Sequence, residues 1–299
     1  MKVGLIGLGK MGYHLALNMK DKGIDVVAYD VQSEARQLIA SEGIKTVDGY
    51  QALINALPKP RVIWLMVPSG KIVESVIDEL SHLLSPQDIL IDGGNSMYLD
   101  SIRRYQSLKQ LGIEFVDCGT SGGTNGARNG ACLMVGGERN VVKSIETLFE
   151  LVAQKEGYAY MGQPGSGHFV KMVHNGIEYG MMQAIGEGFE LMKSSDFAID
   201  FQQVAKVWSN GSIIEGLLMR NTADAFNKDH QLSNIVGKVD DSGEGQWMVE
   251  TALKYKVALP VITQSLYARY KSKDETKFSE KVVAAIRNEF GGHAVYKKS

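Results

Sequence analysis

The chain has 299 residues, 44% hydrophobic and 22% charged, with a formal net charge of −2; this is an ordinary globular composition with room for about two domains. Its 32 basic residues are matched by 34 acidic ones, so neither nucleic acid nor an anionic membrane is expected as a partner. The two cysteines, Cys118 and Cys132, fit no metal spacing and no disulfide framework, as in a reducing compartment.

Met1 and Lys2 run straight into the apolar Val3-Gly4-Leu5-Ile6. No signal or transit peptide is therefore expected, nor any membrane span, and the location is read as cytoplasmic. In chain order, short apolar strands are expected at residues 2–6, 25–29, 61–67, 89–91, 114–116 and 132–135. Amphipathic helices fall between them at 11–20, 34–41, 50–57, 70–83 and 99–111. Such alternation predicts a doubly wound parallel sheet covered on both faces, a Rossmann-type α/β domain. A helix near 141–151 and a strand near 158–161 close it, and Gly162-Gln163-Pro164-Gly165 marks a boundary. The domains are thus read as 1–164 and, with helical periodicity throughout, 165–299. A long helix at 168–193 is apolar around most of its circumference yet carries Gly176, Gly180, Gly186 and Gly188. Each glycine should cost about 1 kcal/mol there, which suggests close approach by a ligand or a neighbouring helix. Helix packing is at least as good an explanation for the later two.

Gly7-Leu8-Gly9-Lys10-Met11-Gly12 follows the first strand and opens the first helix. In that context Gly7 permits the tight turn, Gly9 admits a pyrophosphate, and Gly12 lets helix and strand close up. The helix N-terminus offers free N–H groups to phosphates. Asp30 ends the second strand, where a carboxylate binds both ribose hydroxyls and repels a 2′-phosphate. NAD is therefore expected over NADP. Met66-Val67-Pro68 ends a later strand at the same sheet edge.

Two further turns, 92–96 with Asn95 and 119–124 with Ser121, Gly122 and Gly123, could hold a carboxylate or polyol, or could simply be turns. Lys171, His174, Asn175 and Glu178 recur at i, i+3, i+4 and i+7, one face of the long helix. Four such groups in an apolar helix are hard to bury without a ligand. A lysine of lowered pKa can accept a hydroxyl proton as hydride departs, then stabilise an enolate as carbon dioxide leaves. A carboxylic acid, Glu178, can then protonate carbon. With no metal cluster in the sequence, the lysine takes the electrophile's role.

The segment Gly165-Ser166-Gly167-His168-Phe169-Val170-Lys171-Met172-Val173-His174-Asn175-Gly176-Ile177-Glu178-Tyr179-Gly180 resembles the active-site helix of the 6-phosphogluconate dehydrogenases, and the resemblance runs from Gly7 to His293. It implies Lys171 as base and then acid, and Glu178 as the acid that protonates the enediol. It implies that Asn95, Ser121, Gly122, Gly123, His174 and Asn175 hold the sugar acid and that Tyr179 approaches the phosphate. The tail 287–293 also resembles the family's, which implies that Arg287 and His293 reach into a partner's site in a homodimer or homotetramer. The implied reaction gives ribulose 5-phosphate and carbon dioxide, as in gluconate utilisation and the pentose phosphate pathway.

The chain departs from the longer members in lacking their second helical block. An arginine expected after Trp208-Ser209-Asn210-Gly211 is replaced by Glu215, and a phosphate-binding lysine is missing from 240–247. Arg287, Lys238 or Lys254 could supply that charge. A non-phosphorylated aldonate or a smaller acid resembling 3-hydroxyisobutyrate stays open as a substrate, and so does a non-catalytic NAD-binding role.

Overall fold

In the computed structural model, residues 1–296 are described. Contacts divide the chain into two units, Met1–Gly176 and Ile177–Ser299, so that the long helix contributes to both.

The first unit is built on one eight-stranded sheet of order β3-β2-β1-β4-β5-β6-β7-β8. Strands β1 (Lys2–Ile6), β2 (Asp25–Tyr29), β4 (Val62–Leu65) and β5 (Ile89–Asp92) fall where apolar runs predict them. The helices between them, α1 (Lys10–Asp21), α2 (Ser33–Ser41), α3 (Tyr50–Ala56), α4 (Lys71–Ser81) and α5 (Tyr98–Gln110), cover the sheet. Two apolar layers result. Trp64, Phe149 and Leu15 belong to one, Leu53, Ile77 and Phe115 to the other.

The sheet departs from the expected all-parallel pattern. A two-residue strand, β3 (Lys45–Thr46), adds an edge too short to show as an apolar run. Strand β6 (Glu114–Ser121) continues beyond residue 116, and β7 (Ala131–Gly137) pairs with it antiparallel. The connection holds only the two-turn helix α6 (Gly123–Asn129), whereas a parallel crossover needs a dozen or more residues. Helices α7 (Arg139–Ser144) and α8 (Glu146–Val152) then return the chain so that β8 (Ala153–Gly162) runs parallel to β7.

Helix α9 (Ser166–Lys193) leads into the second unit, which continues with α10 (Phe201–Trp208), α11 (Leu217–Lys228), α12 (Glu244–Tyr255), α13 (Pro260–Ser272) and α14 (Phe278–Gly291). Phe189, Phe201, Trp208 and Phe226 form an aromatic cluster with centroids 5.1–5.9 Å apart. An open apolar cavity of about 550 Å³ adjoins it, lined by Met182, Leu218 and Leu232 among others. The close approach expected along the α9 glycines is found only in part. A Cβ on Gly180 would touch Val261 at 3.4 Å, but Gly186 and Gly188 have nothing within 4 Å. Helix α14 buries none of its residues. Among the described residues no helix is long and apolar enough to cross a membrane.

Phe149 is fully buried, stacked on Tyr158 and edge-on to Trp64 at centroid distances of 5.4 and 5.5 Å. Phe149→Ala should lower the unfolding free energy by about 3–5 kcal/mol, measurable as a shift in the denaturant midpoint.

Candidate active site

The glycine turn after β1 has the geometry its sequence predicts. Gly7 has φ +94°, and a Cβ there would lie 2.4 Å from the Met66 carbonyl oxygen. A Cβ on Gly12 would fall 1.9 Å from the Gly7 carbonyl oxygen, so helix and turn touch through backbone. Gly9 instead faces open space, with nothing within 4 Å of a built Cβ. Lys10 and Met11 begin α1, whose N-terminus has no side-chain cap and no acidic residue in its first turn. The free N–H groups and the helix dipole there suit a pyrophosphate. Asp30 Oδ2 accepts from Leu8 N at 2.6 Å and Oδ1 from Gln32 N at 2.8 Å, which sets the carboxylate beside the turn. Arg36 directs Nη1 to the carbonyls of Asp30 and Val31 at 2.6 and 3.2 Å. Met66 N donates to Ile6 O at 2.7 Å, so the segment carrying Val67 and Pro68 leaves the sheet next to Gly7. These residues fit a dinucleotide.

The turn after β5 exposes Asn95 and is fixed from below. Asp92 Oδ2 accepts from Ser96 Oγ at 2.7 Å and from Arg104 Nη1 at 2.9 Å, and Oδ1 accepts from Gly94 N at 3.2 Å. Arg104, 2% exposed, also reaches Glu74 of α4 through Nε at 2.8 Å. Sequence reading passed over this arginine. Its signal was spacing: Tyr98, Ser101, Arg104 and Leu108 form the buried face of α5.

Strand β6 ends in Ser121, followed by Gly122 and Gly123 with φ of +107° and +61°. Those left-handed conformations turn the chain into α6, and few residues other than glycine adopt them. Ser121 Oγ lies 3.1 Å from His174 Nε2, and His174 Nδ1 lies 2.9 Å from Asn175 Oδ1. An amide oxygen only accepts, so Nδ1 carries the proton and, in the neutral ring, Nε2 accepts from the serine. Lys171 Nζ donates to the same Asn175 Oδ1 at 2.6 Å. Lys171 and Asn175 are 6% and 7% exposed. The sequence-predicted group of Ser121, Lys171, His174 and Asn175 is thus one connected cluster. Beside it, burial pushes the Cys118 thiol well up from its ordinary value, while Cys132, opposite Ser121 in the β6–β7 register, is exposed.

In the second unit, Glu178 is half-buried on α9. Tyr179 OH donates to Asp241 Oδ1 at 2.9 Å and accepts from Ser242 N at 3.2 Å. Burial raises its phenol above the usual value, against the pull of the Ser242 donors. The Arg269 guanidinium lies over the Tyr179 ring, 3.5 Å from its centroid, with Nη1 donating to Asp240 O at 2.7 Å. Arg269 went unnoticed in the sequence because it reads as an ordinary cation in the last turn of a helix. Of the three cations named for the phosphate, Lys238 pairs with Glu275, Lys254 lies by the Tyr255 ring, and Arg287 is exposed on α14. Glu215 accepts from Gly211 N at 2.7 Å in an exposed turn. His293, just past α14, is exposed and offers its carbonyl to Asn288 Nδ2 at 2.9 Å.

Comparison with known proteins bears on both units. Residues 2–173 match the family model described as the NAD binding domain of 6-phosphogluconate dehydrogenase, and residues 167–297 match that of the 6-phosphogluconate dehydrogenase C-terminal domain. A Bacillus subtilis (strain 168) protein, YqeC, provisionally assigned to this activity, is 51% identical over 298 residues, covering 100% of both chains. The NAD(+)-dependent, decarboxylating 6-phosphogluconate dehydrogenase of Haloferax volcanii is 40% identical over 303 residues, covering 100% of this chain and 99% of its own. Among solved structures, Plasmodium falciparum 6-phosphogluconate dehydrogenase, described with NADP+ and with substrate, superposes with a TM-score of 0.83 at 30% identity, over 100% of this chain and 66% of that longer one. Two overlapping family matches that together run from residue 2 to residue 297 leave one assignment: the chain belongs to the 6-phosphogluconate dehydrogenase family.

Proposed function

We propose that the chain oxidises and decarboxylates 6-phosphogluconate to ribulose 5-phosphate and carbon dioxide with reduction of NAD. The observation that carries this reading is the buried Lys171, held by Asn175 on the helix that also bears Glu178. When bound, NAD supplies the hydride acceptor. Neutral Lys171 takes the proton of the C3 hydroxyl at Nζ as hydride leaves that carbon. Its ammonium then hydrogen-bonds the new ketone and stabilises the enolate as carbon dioxide departs. Glu178, seven residues on and so on the same helix face, protonates the former C2, which becomes C1 of the product, while Lys171, having given its proton to the enolate oxygen, takes it back as the ketone forms. Passage of that proton to the Glu178 carboxylate restores both groups.

Asn95, Ser121, Gly122, Gly123, His174 and Asn175 hold the sugar acid through amide, hydroxyl and imidazole groups. Arg269, stacked on Tyr179, joins Arg287, Lys238 and Lys254 as a source of charge for the phosphate; a guanidinium meets phosphate oxygens with paired donors. The Gly7, Gly9, Lys10, Met11, Gly12 and Met66-Val67-Pro68 segments hold NAD, with Asn95 next to it. The preference for NAD over NADP is supported by the Asp30 carboxylate, held beside the glycine turn by Leu8 N, since a carboxylate at the end of this strand repels a 2′-phosphate, and by Arg36, which is directed to backbone carbonyls.

The chain acts in the cytoplasm as a homodimer or homotetramer in which Arg287 and His293 complete the site of a second copy. Supporting this, α14 buries nothing in its own chain while Phe278, Val282, Ile286 and Phe290 stand exposed at four-residue spacing, an apolar stripe without a partner.

Mixed with 6-phosphogluconate and NAD, the protein should release reduced nicotinamide and carbon dioxide in equal amounts. NADP should serve less well, and Asp30→Ala should narrow the difference. Lys171→Met should abolish turnover while NAD still binds; retained turnover would remove Lys171 from the mechanism. Arg269→Gln should raise KM for 6-phosphogluconate by tenfold or more, roughly the worth of a charged hydrogen bond, with little change in the Kd of NAD. An unchanged KM would place the phosphate elsewhere. Gly9→Ala should weaken NAD with an unchanged melting temperature, whereas Gly12→Ala should lower both, since only the second Cβ meets backbone.

A further inference from the structure

Asp117 is fully buried on β6, and nothing in the chemistry above uses it. Its carboxylate takes both hydrogen bonds it can from the start of α9: Oδ1 accepts from Gly165 N at 2.7 Å and Oδ2 from His168 N at 2.8 Å. The first N–H groups of a helix have no partner within it, and a carboxylate there is favoured by the helix dipole. His168 ties the same turn from the other side. Its Nδ1 lies 2.7 Å from Ser101 Oγ of α5, while Nε2 is buried with no hydrogen-bond partner among the described residues. Burial raises the Asp117 carboxyl above its ordinary value, and the nearby His168 and the backbone donors oppose that rise.

The turn so held lies directly on the sheet. A Cβ on Gly167 would be 2.5 Å from Met134 O and 2.6 Å from Asp117 O, and one on Gly136 would be 2.6 Å from Gly167 N. Two residues beyond Asp117, on the same face of β6, Gly119 faces the stem of Lys171: a Cβ there would be 2.4 Å from the lysine Cβ. Lys171 follows His168 by three residues, about one helical turn. One face of one strand therefore carries both the anchor of the helix and the floor beneath its lysine.

We infer that Asp117 is the positioning residue of Lys171: by clamping Gly165 N and His168 N it fixes the height and rotation of α9 on β6, so that the lysine crosses Gly119 and directs Nζ to Asn175. The inference rests on the reading of Lys171 as the base. Asp117→Asn keeps the shape but loses one of the two acceptors. Its kcat should fall by about a hundredfold, the size of effect that a displacement near 1 Å brings. NAD binding, followed by fluorescence, should stay within about twofold and KM for 6-phosphogluconate within about threefold, since neither contact involves the cap. The isotope effect on kcat with substrate deuterated at C3 should rise, because hydride transfer then limits turnover. Gly119→Ala presses on the same lysine, and on the Gly167 carbonyl at 3.0 Å, while leaving the Asp117 carboxylate in place, and should give the same pattern of lowered kcat, raised isotope effect and retained NAD binding. Wild-type kcat in either variant, or a fall in kcat with no rise in the isotope effect, would overturn the positioning role. Turnover by Lys171→Met would sink the underlying reading instead, and so the two failures are told apart.

Discussion

Gly119, Gly136 and Gly167 let the first turns of α9 rest on β6 and β7 at a separation that admits no Cβ at any of the three. Backbone this close must be hydrogen-bonded wherever it is buried, and Asp117 supplies the acceptors that the sheet cannot. Other features of the first unit follow from that contact. The lysine is buried because its stem lies on a strand. Its neighbours are short of space, so Asn175 serves as acceptor for both Lys171 and His174. The imidazole then reaches Ser121 at the end of the very strand that carries the helix.

A single device recurs along the sheet: an aspartate at or near a strand end that organises a neighbouring backbone segment by accepting its N–H groups. Asp30 does so for Leu8 and Gln32, Asp92 for Gly94, and Asp117 for Gly165 and His168. Asp92 and Asp117 are register partners on adjacent strands, and both are buried. Two carboxylates side by side in low dielectric would be costly. Each is answered separately, Asp92 by the Arg104 guanidinium and Asp117 by the amide dipoles at the head of α9. Neither answer is interchangeable with the other, which keeps the Asn95 turn and the lysine helix in separate but neighbouring frames.

What the sequence revealed follows from the range of each interaction. The glycine turn, Asp30 and the lysine face of α9 depend on spacing within one element or one βαβ unit, so motif and periodicity were enough. The reversal of β7 depended on the length of a connection of which the sequence showed only the 119–124 turn, with α6 concealed by Gly122, Gly123 and Gly126. Spacing marked Arg104 as buried, but what it and Asp117 hold in place is set by partners elsewhere in the chain: Glu74 and Asp92 for one, Gly165 and His168 for the other. Arg269 was hidden for the same reason, since nothing local to α13 points to the Tyr179 ring. Gly186 and Gly188 misled in the other direction: a helix can carry glycine without any neighbour drawing close.

The two thiols differ in a way that matters to anyone handling the protein. Cys118 lies inside the sheet, protonated and out of reach, and a reagent that needs a thiolate will pass it by. Cys132 is exposed and directly across the β6–β7 ladder from Ser121, where opposed side chains stand about 5 Å apart. The native chain therefore offers one addressable thiol, and an environment-sensitive dye placed on it would sit beside the Ser121 turn with no engineered cysteine and no change to the lysine helix.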